Sequence, residues 1–195
     1  HWYAMPTSGT GVVQAVAPGF QTIAWNRYDK HGGRELHVAD ATGDHLAFRF
    51  PSPDGRCGSP IDSNLAAFSR SGEYLYYLDQ SVPQFFTLVV VGGHEVRFAV
   101  EPPTDGWGTG KFPLMAVWSP VGDTLYYRKG SDVFEWTPNG GSRRVLDSVP
   151  WLYPTITPDG RHLAYALETS DHSYDVYHAS MTNLADATLI ARDRT

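Results

Sequence analysis

The chain has 195 residues, 42% hydrophobic and 18% charged, with a formal net charge of −6. That apolar content excludes an intrinsically disordered chain, and the acidic balance with scattered Lys and Arg excludes the basic footprint of a nucleic-acid binder. The single cysteine, Cys57, excludes an internal disulfide framework and every multi-cysteine zinc site, and its loop setting predicts an inert thiol.

The elements repeat. In the first stretch, 12–50, Val16-Ala17-Pro18-Gly19-Phe20-Gln21-Thr22-Ile23-Ala24-Trp25 reads as strand, turn and strand, with one residue shifted across the turn relative to the later copies. Glu35–Ala39 and His45–Phe48 follow as a third and a fourth strand around Asp40-Ala41-Thr42-Gly43. The second stretch, 63–100, opens on Leu65-Ala66-Ala67-Phe68-Ser69-Arg70-Ser71-Gly72-Glu73-Tyr74-Leu75-Tyr76-Tyr77 and adds strands at Phe85–Val90 and Glu95–Ala99. The third, 113–146, has Met115 to Tyr127, then Asp132–Trp136 and Arg143–Leu146. The fourth, 152–190, has Tyr153 to Tyr165, then Tyr174–His178 and Thr188–Ile190.

The copies share a frame. Phe68, Trp118 and Ile156 stand four residues before the turn glycine and Ser69, Ser119 and Thr157 three before it; Leu75, Leu125 and Leu163 stand three after it, and Tyr77, Tyr127 and Tyr165 five after it. A +3/+5 spacing puts both side chains on one face of a strand, so these leucines and tyrosines, with Trp118 and Trp136, are expected in the core. The glycine is expected to supply the positive φ of a tight hairpin. Gly19, Gly72, Gly122 and Gly160 are 53, 50 and 38 residues apart, close to the roughly 40–50 residues of a propeller blade. The predicted fold is therefore all-β, a β-propeller of four-stranded antiparallel blades, about four in this chain, forming one domain or a segment of a larger ring over 1–195.

The Trp118-Ser119-Pro120-Val121-Gly122 and Thr157-Pro158-Asp159-Gly160-Arg161-His162-Leu163-Ala164-Tyr165 stretches, each with an apolar third strand closing on a glycine turn, resemble the WD-like repeats of TolB-type β-propellers. Ser71 and Val121 depart from the pattern, standing where the turn usually has Asp. The resemblance implies protein partners, an extracytoplasmic (periplasmic or secreted) location, and a full ring of six to eight blades, so a homo-oligomer completing the ring is one expectation. The chain begins His1-Trp2-Tyr3, without a leader pattern, which predicts a processed form or an excised piece. No apolar run reaches the roughly 18 residues of a membrane-spanning helix, and no membrane insertion is expected.

In such a blade the loop between strands two and three shares a rim with the interblade segment, opposite the glycine hairpin. Candidate binding residues are expected on that loop-rich rim or in the central channel. They are Asp29 and His31, Asp171 and His172, Asp105 and Trp107 in the glycine-rich stretch 102–111, and Trp151 at the end of an interblade segment. Trp107 either stacks on a ligand or partner or folds back over the blade edge. The Asp/His pairs are either acid–base or metal-ligating groups or solvated loop residues, and no ligand spacing connects them. Gly-x-Ser-x-Gly, His-Glu-x-x-His, phosphate-loop and calcium-loop motifs are absent from the sequence. The expected function is a noncatalytic binding module for a protein or small ligand, without cofactor or metal. The alternative is the propeller domain of an enzyme, either the gating domain of a prolyl-oligopeptidase-like serine peptidase or a metal-dependent propeller lyase.

Overall fold

The computed structural model describes residues 11–28, 34–50, 65–82, 85–92, 95–100, 116–129, 131–149, 151–170 and 173–192. The chain divides into two compact units, His1–Gly108 and Thr109–Thr195, and each holds two four-stranded antiparallel sheets. In the first unit, blade 1 is β1 (Gly11–Val16), β2 (Ile23–Tyr28), β3 (Arg34–Asp40) and β4 (Gly43–Phe50). Blade 2 is β5 (Leu65–Phe68), β6 (Tyr74–Val82), β7 (Phe85–Gly92) and β8 (Glu95–Val100). In the second unit, blade 3 is β9 (Ala116–Trp118), β10 (Leu125–Lys129), β11 (Asp132–Thr137) and β12 (Gly141–Leu146). Blade 4 is β13 (Leu152–Ile156), β14 (His162–Ser170), β15 (Ser173–Ser180) and β16 (Asn183–Arg192). Strands pair in chain order within every sheet, the arrangement of propeller blades.

Within each unit the two blades face each other strand for strand: β1 lies beside β5 and β4 beside β8, and β9 lies beside β13 and β12 beside β16. The first joint is filled by Ala24, Leu36 and Val38 of blade 1 and Leu75, Tyr77 and Val91 of blade 2. In the second, Val133 and Leu146 of blade 3 pack with Trp151, Leu163, Tyr165, Ala179 and Leu184 of blade 4. The predicted alternation holds, with Leu75, Leu125, Leu163, Tyr77, Tyr127, Tyr165, Trp118 and Trp136 all buried.

Two expectations about the turns are corrected. The first concerns register. Each first hairpin closes with one bond back across six residues, Ser69 N to Tyr74 O (2.7 Å), Ser119 N to Thr124 O (2.8 Å) and Thr157 N to His162 O (2.9 Å); in blade 1 the same bond is Ala17 N to Thr22 O (2.8 Å). The inner bond from Gly72 N to Ser69 O and from Gly160 N to Thr157 O is made in blade 1 by Phe20 N to Ala17 O, so Phe20, not Gly19, occupies the repeat-glycine position. Trp25, five residues on, then takes the place of the tyrosine. The second correction concerns Gly122. Gly72 (φ 78°) and Gly160 (φ 71°) are left-handed as expected, whereas Gly122 is not among the positive-φ glycines.

Asp159 anchors its turn by accepting from Thr157 Oγ1 (2.6 Å) and Arg161 N (3.0 Å). Ser71 reproduces the second bond, its Oγ accepting from Glu73 N at 3.0 Å. Val121 carries no oxygen to do so and instead leans over the next turn, where a Cβ added at Gly160 would collide with its methyl groups. The equivalent contact in the first unit is looser, with Ala17 and Pro18 lying 3.4 and 3.6 Å from a Cβ added at Gly72.

Candidate functional site

Of the sequence-predicted site residues, Asp29, His31, Asp105, Trp107, Asp171 and His172 lie outside the described residues, as does Cys57. Trp151 is described, and it is 0% exposed in the joint between blades 3 and 4, with its ring centroid 6.2 Å from that of Tyr165. Standing immediately before β13, it is carried inward as a core residue and presents no ring face to a rim ligand. Its carbonyl accepts from Arg128 Nη1 at 3.3 Å, and its indole Nε1 is buried without a hydrogen-bond partner. Burial pushes the Arg128 guanidinium down to about 10.

On the loop rim, the described residues place Tyr153 edge-on to Tyr174, with centroids 6.4 Å apart. Tyr153 has φ 50°, but its ring is already engaged by that partner.

The hairpin rim holds a different feature. A cleft of about 390 Å³ opens where blades 1 and 2 meet, and turn residues from both form its mouth: Thr22 and Asp40 of blade 1, Glu73 and Tyr74 of blade 2. Its floor is the apolar joint itself, Val38, Phe68, Leu75 and Val91. The lining contains two carboxylates and no Lys or Arg. Asp40 is fixed by the β3–β4 turn, its Oδ1 accepting from Thr42 N (2.7 Å) and Thr42 Oγ1 (2.6 Å). Glu73 projects from the β5–β6 turn and is exposed.

Phe20 is two residues along the chain from Thr22, which limits their Cα separation to about 7 Å. It is 85% exposed and holds φ 58°. Left-handed backbone costs an L-residue about 1–2 kcal/mol, and bulky side chains are rare there. Neighbouring Gly19 (φ 81°) shows that the turn bends through two consecutive left-handed residues.

Blade 1 also carries a polar cluster on the face turned away from blade 2. His37 lies against Trp25, centroids 4.6 Å apart, in the position where Phe134 stacks on Tyr127 and Tyr177 on Tyr165. Asp44 bridges the pair, accepting from Trp25 Nε1 at 2.9 Å and lying 3.1 Å from His37 Nδ1. His37 Nε2 is 3.3 Å from Glu35, which accepts from Arg49 Nε at 3.1 Å. Burial works against the Glu35 carboxylate, yet the bonds from His37 and Arg49 together hold it below the usual range. Acid–base pairs recur at this place, as Asp132 with Arg144 (3.3 Å) and Asp175 with Arg192 (3.7 Å), so the Glu35 pair belongs to the repeat's architecture. The histidine is the substitution peculiar to blade 1. Among the described residues, no three His, Cys, Asp or Glu side chains converge on a point that could hold a metal ion, and no helix is long and apolar enough to cross a membrane.

No protein-family profile and no curated protein sequence matches the chain. Solved structures do. TolB from Acinetobacter baumannii superposes with a TM-score of 0.51 at 15% identity, over 96% of this chain and 45% of that one. An acylaminoacyl peptidase from Pyrococcus horikoshii gives 0.53 at 14% identity, over 92% of this chain and 32% of that one. An uncharacterised protein from Listeria monocytogenes gives 0.53 at 10% identity, over 96% and 55%. At these identities the likeness establishes the fold alone: the chain is built from β-propeller blades, TolB-like in architecture. It spans less than half the length of the TolB it superposes on.

Proposed function

We propose that the chain is a noncatalytic binding module whose recognition surface is the hairpin rim at the joint of blades 1 and 2. The observation that carries this reading is the cleft of about 390 Å³ between Thr22, Asp40, Glu73 and Tyr74, open to solvent above an apolar floor. Concave sites with an apolar floor and a few convergent polar groups are the usual form of a ligand site. Its walls come from two blades locked together by the shared core of Leu36, Val38, Leu75 and Tyr77, so the site is pre-formed and binding costs little ordering. The partner is a protein or a small ligand. An extracytoplasmic location, which the TolB-type resemblance implies, belongs to the same reading and is checked by fractionating cells that make the native protein.

The test is a ¹H–¹⁵N resonance survey of the labelled chain against a mixed library of peptides and small metabolites. Saturable shifts at the amides of Thr22, Asp40, Glu73 and Tyr74 support the reading. Saturable shifts confined to other residues, or turnover of a library member, overturn it.

A further inference from the structure

Two side chains that cap the joint of blades 3 and 4 at its hairpin rim have no counterpart in blades 1 and 2. The pairing of His162 with Ser180 in blade 4 matches that of Tyr74 with Gly92 in blade 2, so Ser180 and Gly92 are equivalent positions. Met181 then corresponds in sequence to Gly93, which lies outside the described residues. The closing bonds Ser119 N to Thr124 O and Ala17 N to Thr22 O make Val121 the equivalent of Gly19 in the same way. In blades 3 and 4, Met181 packs on the core cluster of the joint and Val121 stands against Gly160. In blades 1 and 2 neither side chain exists, because both positions are glycine.

The cleft of about 390 Å³ opens where those two side chains are missing: Gly72 and Gly92, the equivalents of Gly160 and Ser180, are among its lining residues. Its floor of Val38, Phe68, Leu75 and Val91 lacks the contacts that an apolar side chain would return to it. The lip does not call for a cation. Asp40 Oδ1 already accepts from Thr42 N and Thr42 Oγ1 and lies 3.9 Å from His45 Nε2, and Glu73 is exposed to water. Methionine, unbranched and flexible, suits an irregular gap, and blade 4 supplies its methionine from the turn between β15 and β16. That turn is held by its main chain as well, Met181 N donating to Arg161 O at 2.8 Å, so the cap comes as a side chain together with its backbone.

We propose that the cleft seats an apolar side chain of Met or Leu size, carried on a turn of a polypeptide partner, which takes in trans the place that Met181 fills in cis in blade 4. This rests on the binding-module reading above and gives the partner its chemistry.

The test uses the capped peptide Ala-Ser-Met-Thr-Asn, the same peptide with Ser or with Lys in place of Met, and methyl propyl sulfide, each titrated into the ¹⁵N-labelled chain. The Met peptide is expected to shift the Thr22, Tyr74 and Gly92 amides saturably and to bind about tenfold more tightly than the Ser peptide, with the Lys peptide no better than the Ser peptide. Raising salt from about 50 to about 300 mM should leave its affinity within about twofold. Gly93→Met, which supplies the missing side chain in cis, should abolish binding of the Met peptide, whereas Gly93→Ser, which changes the same turn without filling the cleft, should preserve it. Equal binding of the Met and Ser peptides, or of the Met and Lys peptides, overturns the apolar occupant but leaves the binding module standing. Methyl propyl sulfide binding as tightly as the Met peptide overturns the polypeptide partner. Full binding by a folded Gly93→Met, or equal loss in both Gly93 variants, overturns the equivalence with Met181. No shift at the cleft with any probe overturns both the occupant and the site.

Discussion

Asn26 Nδ2 donates to the Tyr77 hydroxyl at 2.6 Å, tying blade 1 to blade 2 across 51 residues of sequence, while Oδ1 of the same amide is buried without a partner. The bond sits in a joint otherwise made of apolar side chains, where a lost partner is not replaced by water. Tyr77→Phe should therefore cost about 1–3 kcal/mol in urea unfolding, because it strands the whole Asn26 amide. Asn26→Leu removes the orphaned oxygen together with the donor and should cost less. The double variant should be less destabilised than the sum of the two. Strict additivity would show that the bond contributes nothing.

The Gly160 turn should be the least tolerant position in the repeat frame. Gly160→Ala places a Cβ against Val121 and puts alanine at φ 71°. Overpacking and left-handed strain each cost on the order of 1–2 kcal/mol, and a lowered thermal midpoint should report both. Adding Val121→Ala should recover the steric part and leave the backbone part. Full recovery would show that the backbone strain is negligible.

Phe20→Gly exchanges a strained residue for one that accepts left-handed backbone freely. The chain should keep its stability or gain up to about 1 kcal/mol, since relief of strain exceeds the entropy cost of glycine. A loss above about 1 kcal/mol would mean that the exposed ring packs on something that holds the fold.

Acid should loosen the blade 4 turn. The Thr157 hydroxyl and the Arg161 amide, both bonded to Asp159, hold its carboxyl below the usual value. A group whose folded value is depressed contributes stability above its unfolded value, near 3.8, and loses that contribution as pH falls through the folded one. Urea midpoints measured from pH 6 down to pH 2 should fall less steeply in Asp159→Asn than in the unaltered chain. Parallel profiles would show that the turn is not linked to this proton.

The blades were legible in the sequence because one periodic frame recurs: Leu75, Leu125 and Leu163 with Tyr77, Tyr127 and Tyr165 mark the core face directly. The one-residue shift in blade 1 was legible too, but not that Phe20, one place after the turn glycine Gly19, takes the repeat-glycine position, because no local residue preference puts a phenylalanine at a left-handed site. The cleft was not legible either. Its lip is assembled from Asp40 and Glu73, which no local spacing connects, and it lies on the rim opposite the loops where binding residues were expected. Trp151 reads as a loop residue because it ends the interblade segment after Leu146, yet its indole fills the blade joint. His37 carried a signal: a polar ring at the register where Phe134 and Tyr177 stand in other blades.

Pro18 against Gly72 and Val121 against Gly160 make neighbouring turns overlap like tiles, each odd-numbered blade capping the one after it. The transferable cassette is thus the couple of blades. A lone blade removed by recombination would forfeit either the tile above it or the seat beneath it. Duplication, deletion or circular permutation that parts the two blades of either couple should therefore be resisted.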